Sequence, residues 1–331
     1  MSLQINEYTN DSILFQIREE WEELCEECTF CTPFQYPQWI ISWWKYFGGS
    51  ELKAVSIRDG EKLIALGLFY IYKDFDGNRK CCLLGTGISD YLDIVIVSGK
   101  EAQCSEIIYN YLIDIQSQWD VCDFQDIRIV SPFFKELLKK KNIEPMPCNV
   151  CLSKVFDTAE GDVLRQVHKN LRNNIKRAIK KLNTTGQWEF IEERENRTRE
   201  ALQNLFILHN ARWESKSGTG VLNDEKVQAF HLESSGLLMQ KNMLRIFTLK
   251  LKSKVIATYY VLLHKRRGYA YLGGFDPLME DFSPGVVSLY FVIKVLLKHG
   301  YGCFDFLRGE ETYKEYWGVS RSLNYRMIIR K

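Results

Sequence analysis

The chain has 331 residues, of which 46% are hydrophobic and 26% charged. This composition excludes a disordered chain, and the length suits two domains of roughly 150 residues each. A formal net charge of +2 excludes a globally basic nucleic-acid binder, so nucleic acid is not an expected partner and only local basic runs need separate treatment. No charged-then-apolar leader is read at the N-terminus. The longest apolar helix, Val286 to Leu297, is too short to span a bilayer and carries Lys294. The expectation is a soluble, cytoplasmic protein with no membrane span.

In chain order, Asp11 to Glu27 has helical periodicity, and Trp39 to Phe47 is a second, aromatic helix closed by Gly48-Gly49. Ten cysteines include Cys25-x2-Cys28-x2-Cys31 and Cys148-x2-Cys151. Cys25 and Cys28 fall on the apolar stripe of the first helix, so they read as buried thiols, and no metal is expected. Leu52–Ile57, Asp59-Gly60 and Lys62–Tyr70 make a hairpin. An ungapped second copy begins 192 residues later, with Leu244–Leu249, a turn near Lys252-Ser253, and Lys254–Tyr260. The parallel continues: Leu83–Gly87 matches Tyr271–Gly274, and each is followed by a helix and a strand. Two copies of one α/β unit explain the pattern. The boundary falls in Cys148 to Gly161, giving domains 1–155 and 156–331.

After the boundary, Leu164 to Leu182 reads as one amphipathic helix whose polar face carries Arg165, Lys169, Arg172, Lys176, Arg177, Lys180 and Lys181. A helix from Arg199 to Trp213 follows, then a short loop, Ser215 to Gly220. The stretch Tyr269 to Trp317 runs strand, acidic loop (Asp276 to Phe282), Ser283-Pro284-Gly285, apolar helix (Val286 to Lys298), strand (Cys303 to Leu307) and a polar-aromatic tail. A strand entering a helix through a short loop leaves unpaired N–H groups at the helix start, a place that favours anions. Asp305 alternates with Phe304 and Phe306, so it faces away from both, with Arg308 as its expected partner.

These residues resemble those of tandem GNAT-fold N-acyltransferases, specifically the CelD-like (cellulose-biosynthesis-protein-like) acetyltransferase family, relatives of the Fem-type aminoacyltransferases. The resemblance is carried by Pro37-x-Trp39 with Trp43-Trp44, Asp90-Tyr-Leu-Asp93, the basic helix from His168 to Lys181, Leu208-His209 with Arg212-Trp213, Gly274-Phe275-Asp276-Pro277, Ser283-Pro284-Gly285, and Phe304–Gly309 followed by Tyr313-Lys314 and Trp317. It implies an α/β (α+β) fold of two tandem GNAT-like domains, with mixed sheets flanked by helices. The second domain is then the catalytic half. The first lacks a Pro-Gly helix start and is expected to bind no cofactor and to wall the substrate cleft.

The resemblance further implies acetyl-CoA or another acyl-CoA as co-substrate. Its pyrophosphate would lie on the helix after Gly285, with Gly274, Phe275, Ser283, Gly285 and Val286 as the binding residues. An amine acceptor, on a sugar or another polysaccharide precursor, would meet Arg212, Trp213, Asp276, Arg308, Lys314 and Trp317. Asp305, Glu310, Asp276 and His209 are candidates to take the amine's proton, and Tyr313, then Tyr316, to protonate the thiolate. This loop departs from the GNAT pattern in having one glycine, a proline without an N–H, and an acidic flank at Glu280-Asp281, so a cation from the basic helix is expected to assist. Two other readings stand beside acetyl transfer: Fem-type transfer from aminoacyl-tRNA, and an inert scaffold with the same fold.

Overall fold

The computed structural model describes residues 3–141, 143–215 and 218–331. Of the expected loop Ser215 to Gly220, Lys216 and Ser217 lie outside the described residues. The chain forms two compact units: residues up to Val150 together with Ser322–Lys331, and Cys151–Arg321. The division falls inside a strand, and the C-terminal segment leaves the second unit for the first.

The first unit contains β1 (Gln4–Tyr8), α1 (Ser12–Gln16), α2 (Arg18–Glu27), α3 (Pro37–Phe47), β2 (Glu51–Asp59), β3 (Lys62–Lys73), β4 (Arg79–Leu83), β5 (Val95–Ile96), α4 (Glu101–Asp114), β6 (Val121–Arg128), α5 (Pro132–Leu137) and most of β13 (Ser320–Arg330). The strand β7 (Ile143–Val155) crosses the division. The first unit's strands run β1-β2-β3-β4-β6-β13, all antiparallel except β4 with β6. Its core buries Phe69, Trp119, Phe124 and Phe133 between sheet and helices.

The second unit contains α6 (Lys169–Thr185), β8 (Trp188–Glu192), α7 (Thr198–Glu214), α8 (Glu225–Gln240), β9 (Leu244–Leu251), β10 (Lys254–His264), β11 (Arg267–Phe275), α9 (Pro284–Lys298), β12 (Cys303–Arg308) and α10 (Thr312–Glu315). Its strands run β7-β12-β11-β10-β9-β8. Here too one pair is parallel, β11 with β12, and the others are antiparallel. Each unit therefore repeats a hairpin, a third antiparallel strand, a helix, and a strand parallel to the third. The two hairpin turns obey local chemistry: Gly60 takes φ +63, and Lys252 and Ser253 take φ +49 and +66.

Two expected helices are broken. Asp11 to Glu27 divides at Ile17, which leaves helical geometry at φ −94, ψ 10. In Leu164 to Leu182, the Asp162 carboxylate accepts from Leu164 N at 2.9 Å and starts a separate 3-10 turn. Val167 is then extended at φ −122, ψ 163, so α6 begins only at Lys169. Its apolar residues Ala178 and Leu182 pack with Val287 of α9 and with Leu249, Leu251 and Ile256 of the sheet.

Tight contacts between backbone and sheet fix the strand that enters α9. A Cβ at Gly273 would lie 2.7 Å from the Tyr259 ring across the β10–β11 ladder. At Gly274 it would lie 2.6 Å from His209 N and 2.9 Å from the Leu208 carbonyl carbon, both backbone atoms of α7. Neither backbone atom can rotate aside, so Gly274→Ala is expected to lower stability by about 1–3 kcal/mol in urea denaturation. Gly236→Ala, in α8 with open space around the new methyl, should instead raise it by about 0.5–1 kcal/mol. Equal effects of the two substitutions would contradict this packing argument.

Candidate functional site

The parallel pairing of β11 with β12 covers only Arg267↔Cys303, Gly268↔Phe304 and Tyr269↔Asp305. Beyond it the strands part: β12 continues beside β7, with Leu307↔Leu152 and Arg308↔Cys151, while β11 runs on to Phe275. The stretch of β11 from Ala270 to Phe275 thus has no neighbour on that side among the described residues. Backbone groups there are open to an extended ligand.

At the end of β11 the chain turns through a 3-10 segment, Pro277–Phe282, into α9. Ser283 caps α9 from the left-handed region, φ +46, ψ 50, and its side chain makes no capping hydrogen bond. Pro284 has no N–H, and neither Gly285 N nor Val286 N finds an acceptor among the described residues. Two donors at the positive end of a 15-residue helix are therefore left for an anion.

A cavity of about 290 Å³ opens at this helix start, lined by Arg212, Tyr259, Phe275, Glu280, Ser283, Pro284, Gly285, Val286 and Tyr313. The Tyr259 hydroxyl donates to the Gly285 carbonyl at 3.2 Å. Burial pushes the Tyr259 phenol up to about 12 and holds that of Tyr313 well above its usual range, so both stay protonated. The Arg212 guanidinium lies over the Phe275 ring, 5.3 Å from its centroid. Lys181 of α6 meets Asp281 at 3.0 Å and lies 4.8 Å over the Phe282 ring, so a cation from the basic helix does offset the acidic flank. Among the described residues, Lys169, Arg172, Lys176, Arg177 and Lys180 make no ion pair.

Of the residues read from sequence, the fold gathers Phe275, Ser283, Gly285, Val286, Arg212 and Tyr313 around this cavity. The others are engaged elsewhere. Gly274 is a packing contact with α7. Asp276 caps the 3-10 segment, accepting from Leu278 N at 3.0 Å, and pairs with Lys254 at 2.6 Å. Asp305 accepts from Leu307 N at 2.9 Å and pairs with Arg267 at 3.2 Å. Leu307 sits at φ +58 beside a bulge in β12, and the Asp305 carboxylate ties that irregularity down. Glu310 pairs with Arg321 at 2.8 Å. Lys314, 4% exposed, donates to the Arg308 and Gly309 carbonyls and meets Glu311 at 2.9 Å. Trp317 is fully buried against Phe306. Tyr316 packs edge-on against His168.

His209 accepts at Nε2 from the Trp213 indole N–H at 3.0 Å, so its neutral form carries the proton on Nδ1. Burial lowers its pKa to about 4 and that of His231 to about 3. His209 is therefore a buried, neutral ring next to the cavity residues of α7, with Nε2 occupied. Tyr259 and Glu280 are cavity residues that the sequence reading left out of the site. The signal for Tyr259 was its position in the repeated hairpin, opposite Gly273.

Residues 169–315, within the second unit, match the model of the Acetyltransferase (GNAT) domain family. Among curated proteins none matches this chain. Solved structures agree in fold over both units. FemX superposes with a TM-score of 0.70 at 11% identity, covering 98% of this chain and 97% of that one. A conserved protein of unknown function from Bacteroides thetaiotaomicron gives 0.62 at 10%, covering 99% and 100%. A tandem GNAT protein from the clavulanic acid biosynthesis pathway gives 0.52 at 7%, covering 98% of each chain. Among the described residues no helix is long and apolar enough to cross a membrane, and no cluster of His, Cys, Asp and Glu could hold a metal ion.

The histidines set a pH dependence. Their folded pKa values lie below the ordinary 6.5, so the unfolded chain binds more protons between those values and stability rises with pH. The His209 contribution is fully present above about pH 6.5, is lost as pH falls toward 4, and is on the order of 3 kcal/mol. Urea denaturation at pH 7 and pH 4.5 should show this loss, and His209→Gln should reduce it. A slope unchanged by His209→Gln would contradict the assignment.

Proposed function

We propose that this chain is an N-acyltransferase that moves an acyl group, acetyl in the simplest case, from acyl-CoA to an amine. The observation that carries the reading is the meeting of three features in one place: the unneighboured edge of β11, the uncapped start of α9, and the cavity between them. The donors on Gly285 and Val286 suit the pyrophosphate. The missing glycines of the loop are offset by the left-handed Ser283, which turns the chain so that both N–H groups face outward. Lys181 neutralises Asp281, and the unpaired cations of α6 supply further positive potential for phosphate.

The open edge of β11 offers N–H groups to the thioester carbonyl, whose oxygen gains negative charge as the amine attacks. A C–N bond forms, the C–S bond breaks, and the amine nitrogen gives up a proton. Tyr313 lines the cavity, and its hydroxyl has no partner among the described residues. Kept protonated by burial, it can donate its proton to the departing thiolate and recover it from solvent. The carboxylates of Asp305, Asp276 and Glu310 are committed to Arg267, Lys254 and Arg321. The carboxylate at the cavity wall is Glu280.

A second reading, transfer from aminoacyl-tRNA, is favoured by the row of unpaired cations on α6. It predicts tRNA affinity that falls steeply with salt, whereas acetyl-CoA affinity should change far less. For the first reading, calorimetric titration should show acetyl-CoA binding to the wild type. Tyr313→Phe should retain that affinity and lower kcat about 10²-fold. Absence of binding across short-chain acyl-CoA donors would sink the donor assignment, and an unchanged kcat would remove Tyr313 from the reaction.

A further inference from the structure

The acyl-transfer reading, on which this inference rests, leaves two charged groups of the cavity unexplained. Among the described residues, Arg212 and Glu280 are its only charged lining residues, and neither side chain makes an ion pair or a side-chain hydrogen bond.

Arg212 is also held in a definite way. It projects from the last turn of α7, a helix fixed to β11 by the backbone contact at Gly274. Its guanidinium lies over the Phe275 ring, 5.3 Å from the centroid, at the wall of the cavity. Its positive charge is felt by both cavity phenols, Tyr259 and Tyr313. A planar, pre-oriented guanidinium with five donors is a receptor for a carboxylate, which it holds through two parallel hydrogen bonds. Glu280 supplies the opposite charge in the same wall, within the 3-10 segment that leads into α9. Arg212 also draws down the Glu311 carboxylate, but a neutral amino sugar would offer the guanidinium N–H donors no carboxylate of its own. A cavity with one fixed cation and one anion is complementary to a molecule that carries one of each.

We propose that the acceptor is a zwitterion of the amino-acid type, its carboxylate held by Arg212 and its ammonium drawn to Glu280 before the nitrogen is deprotonated for attack. The acyl group then passes to an amine one or a few bonds from a carboxylate, and the product is an N-acyl amino acid or an N-acylated amino-acid unit of a larger molecule.

The test uses amines that differ by one carboxylate, L-alanine against L-alaninamide and L-phenylalanine against L-phenylalaninamide, with acetyl-CoA as donor and thiol release as readout. The wild type should favour the carboxylate member in kcat/KM by about tenfold or more. In Arg212→Gln that ratio should collapse to about one, and Arg212→Lys should recover only part of it. Acetyl-CoA affinity, measured separately by calorimetry, should stay within about twofold in both variants. The proposal is overturned if the ratio survives in Arg212→Gln. It is overturned equally if Arg212→Gln loses acetyl-CoA affinity instead, because the guanidinium then serves the donor's phosphates.

If the wild type fails to bind acetyl-CoA, the donor reading fails, and calorimetry of the same amine pairs without donor decides the role of Arg212. Binding of the carboxylate member, lost in Arg212→Gln, supports it. Binding of neither member overturns it.

Discussion

The site depends on strands β11 and β12 being clamped at one end and apart at the other. The clamp is the Arg267–Asp305 pair, formed where the two strands still face each other in register. Immediately beyond it, Asp305 receives the Leu307 N–H, Leu307 enters the left-handed region, and β12 bulges as it follows β7. A buried carboxylate that satisfies both a guanidinium and a strained backbone N–H holds the fork of the sheet open at a fixed point. The cavity, the open edge of β11 and the placement of α9 all follow from that fork.

The first unit builds the same fork with different parts. Its parallel pairing covers Lys80↔Val121 and Cys81↔Cys122, and the strand after it also bulges, with Asp126 at φ +54. Asp123 stands where Asp305 stands in the second unit, but its partner is Arg326, from β13. The strand entering this fork does not lead into a helix: β4 ends at Leu83 and passes through Gly85 and Gly87, both at positive φ, before α4 begins at Glu101. The duplicated scaffold is present in both units, and the uncapped helix start opposite the fork is present in the second.

Much of this was legible in the residues. Hairpins announced by Asp59-Gly60 and Lys252-Ser253, the long apolar α9, and the Ser283-Pro284-Gly285 entry all depend on local chemistry that acts within a few residues. The cavity lining was half legible, because Phe275, Ser283, Gly285 and Val286 are neighbours of that entry in sequence. Roles set by distant partners were not. Nothing near Asp305 announces Arg267, and nothing near Asp276 announces Lys254, since both pairings arise only when strands are laid side by side. The helix α8 has a weak signal in sequence: a histidine, two serines and a glycine interrupt its apolar stripe, and the Asp224 cap, which accepts from Lys226 N and Val227 N, is the available cue.

The contact at Gly274 joins the main chain of β11 directly to the main chain of α7, with no side chain between them to act as a cushion. Strand and helix therefore move as one solid piece. The backbone from which Arg212 projects and the open edge of β11 are thereby held at a fixed distance. Such a joint separates lining from frame: side chains on the exposed end of α7 can be exchanged while the main chain of β11 beside the cavity stays as it was.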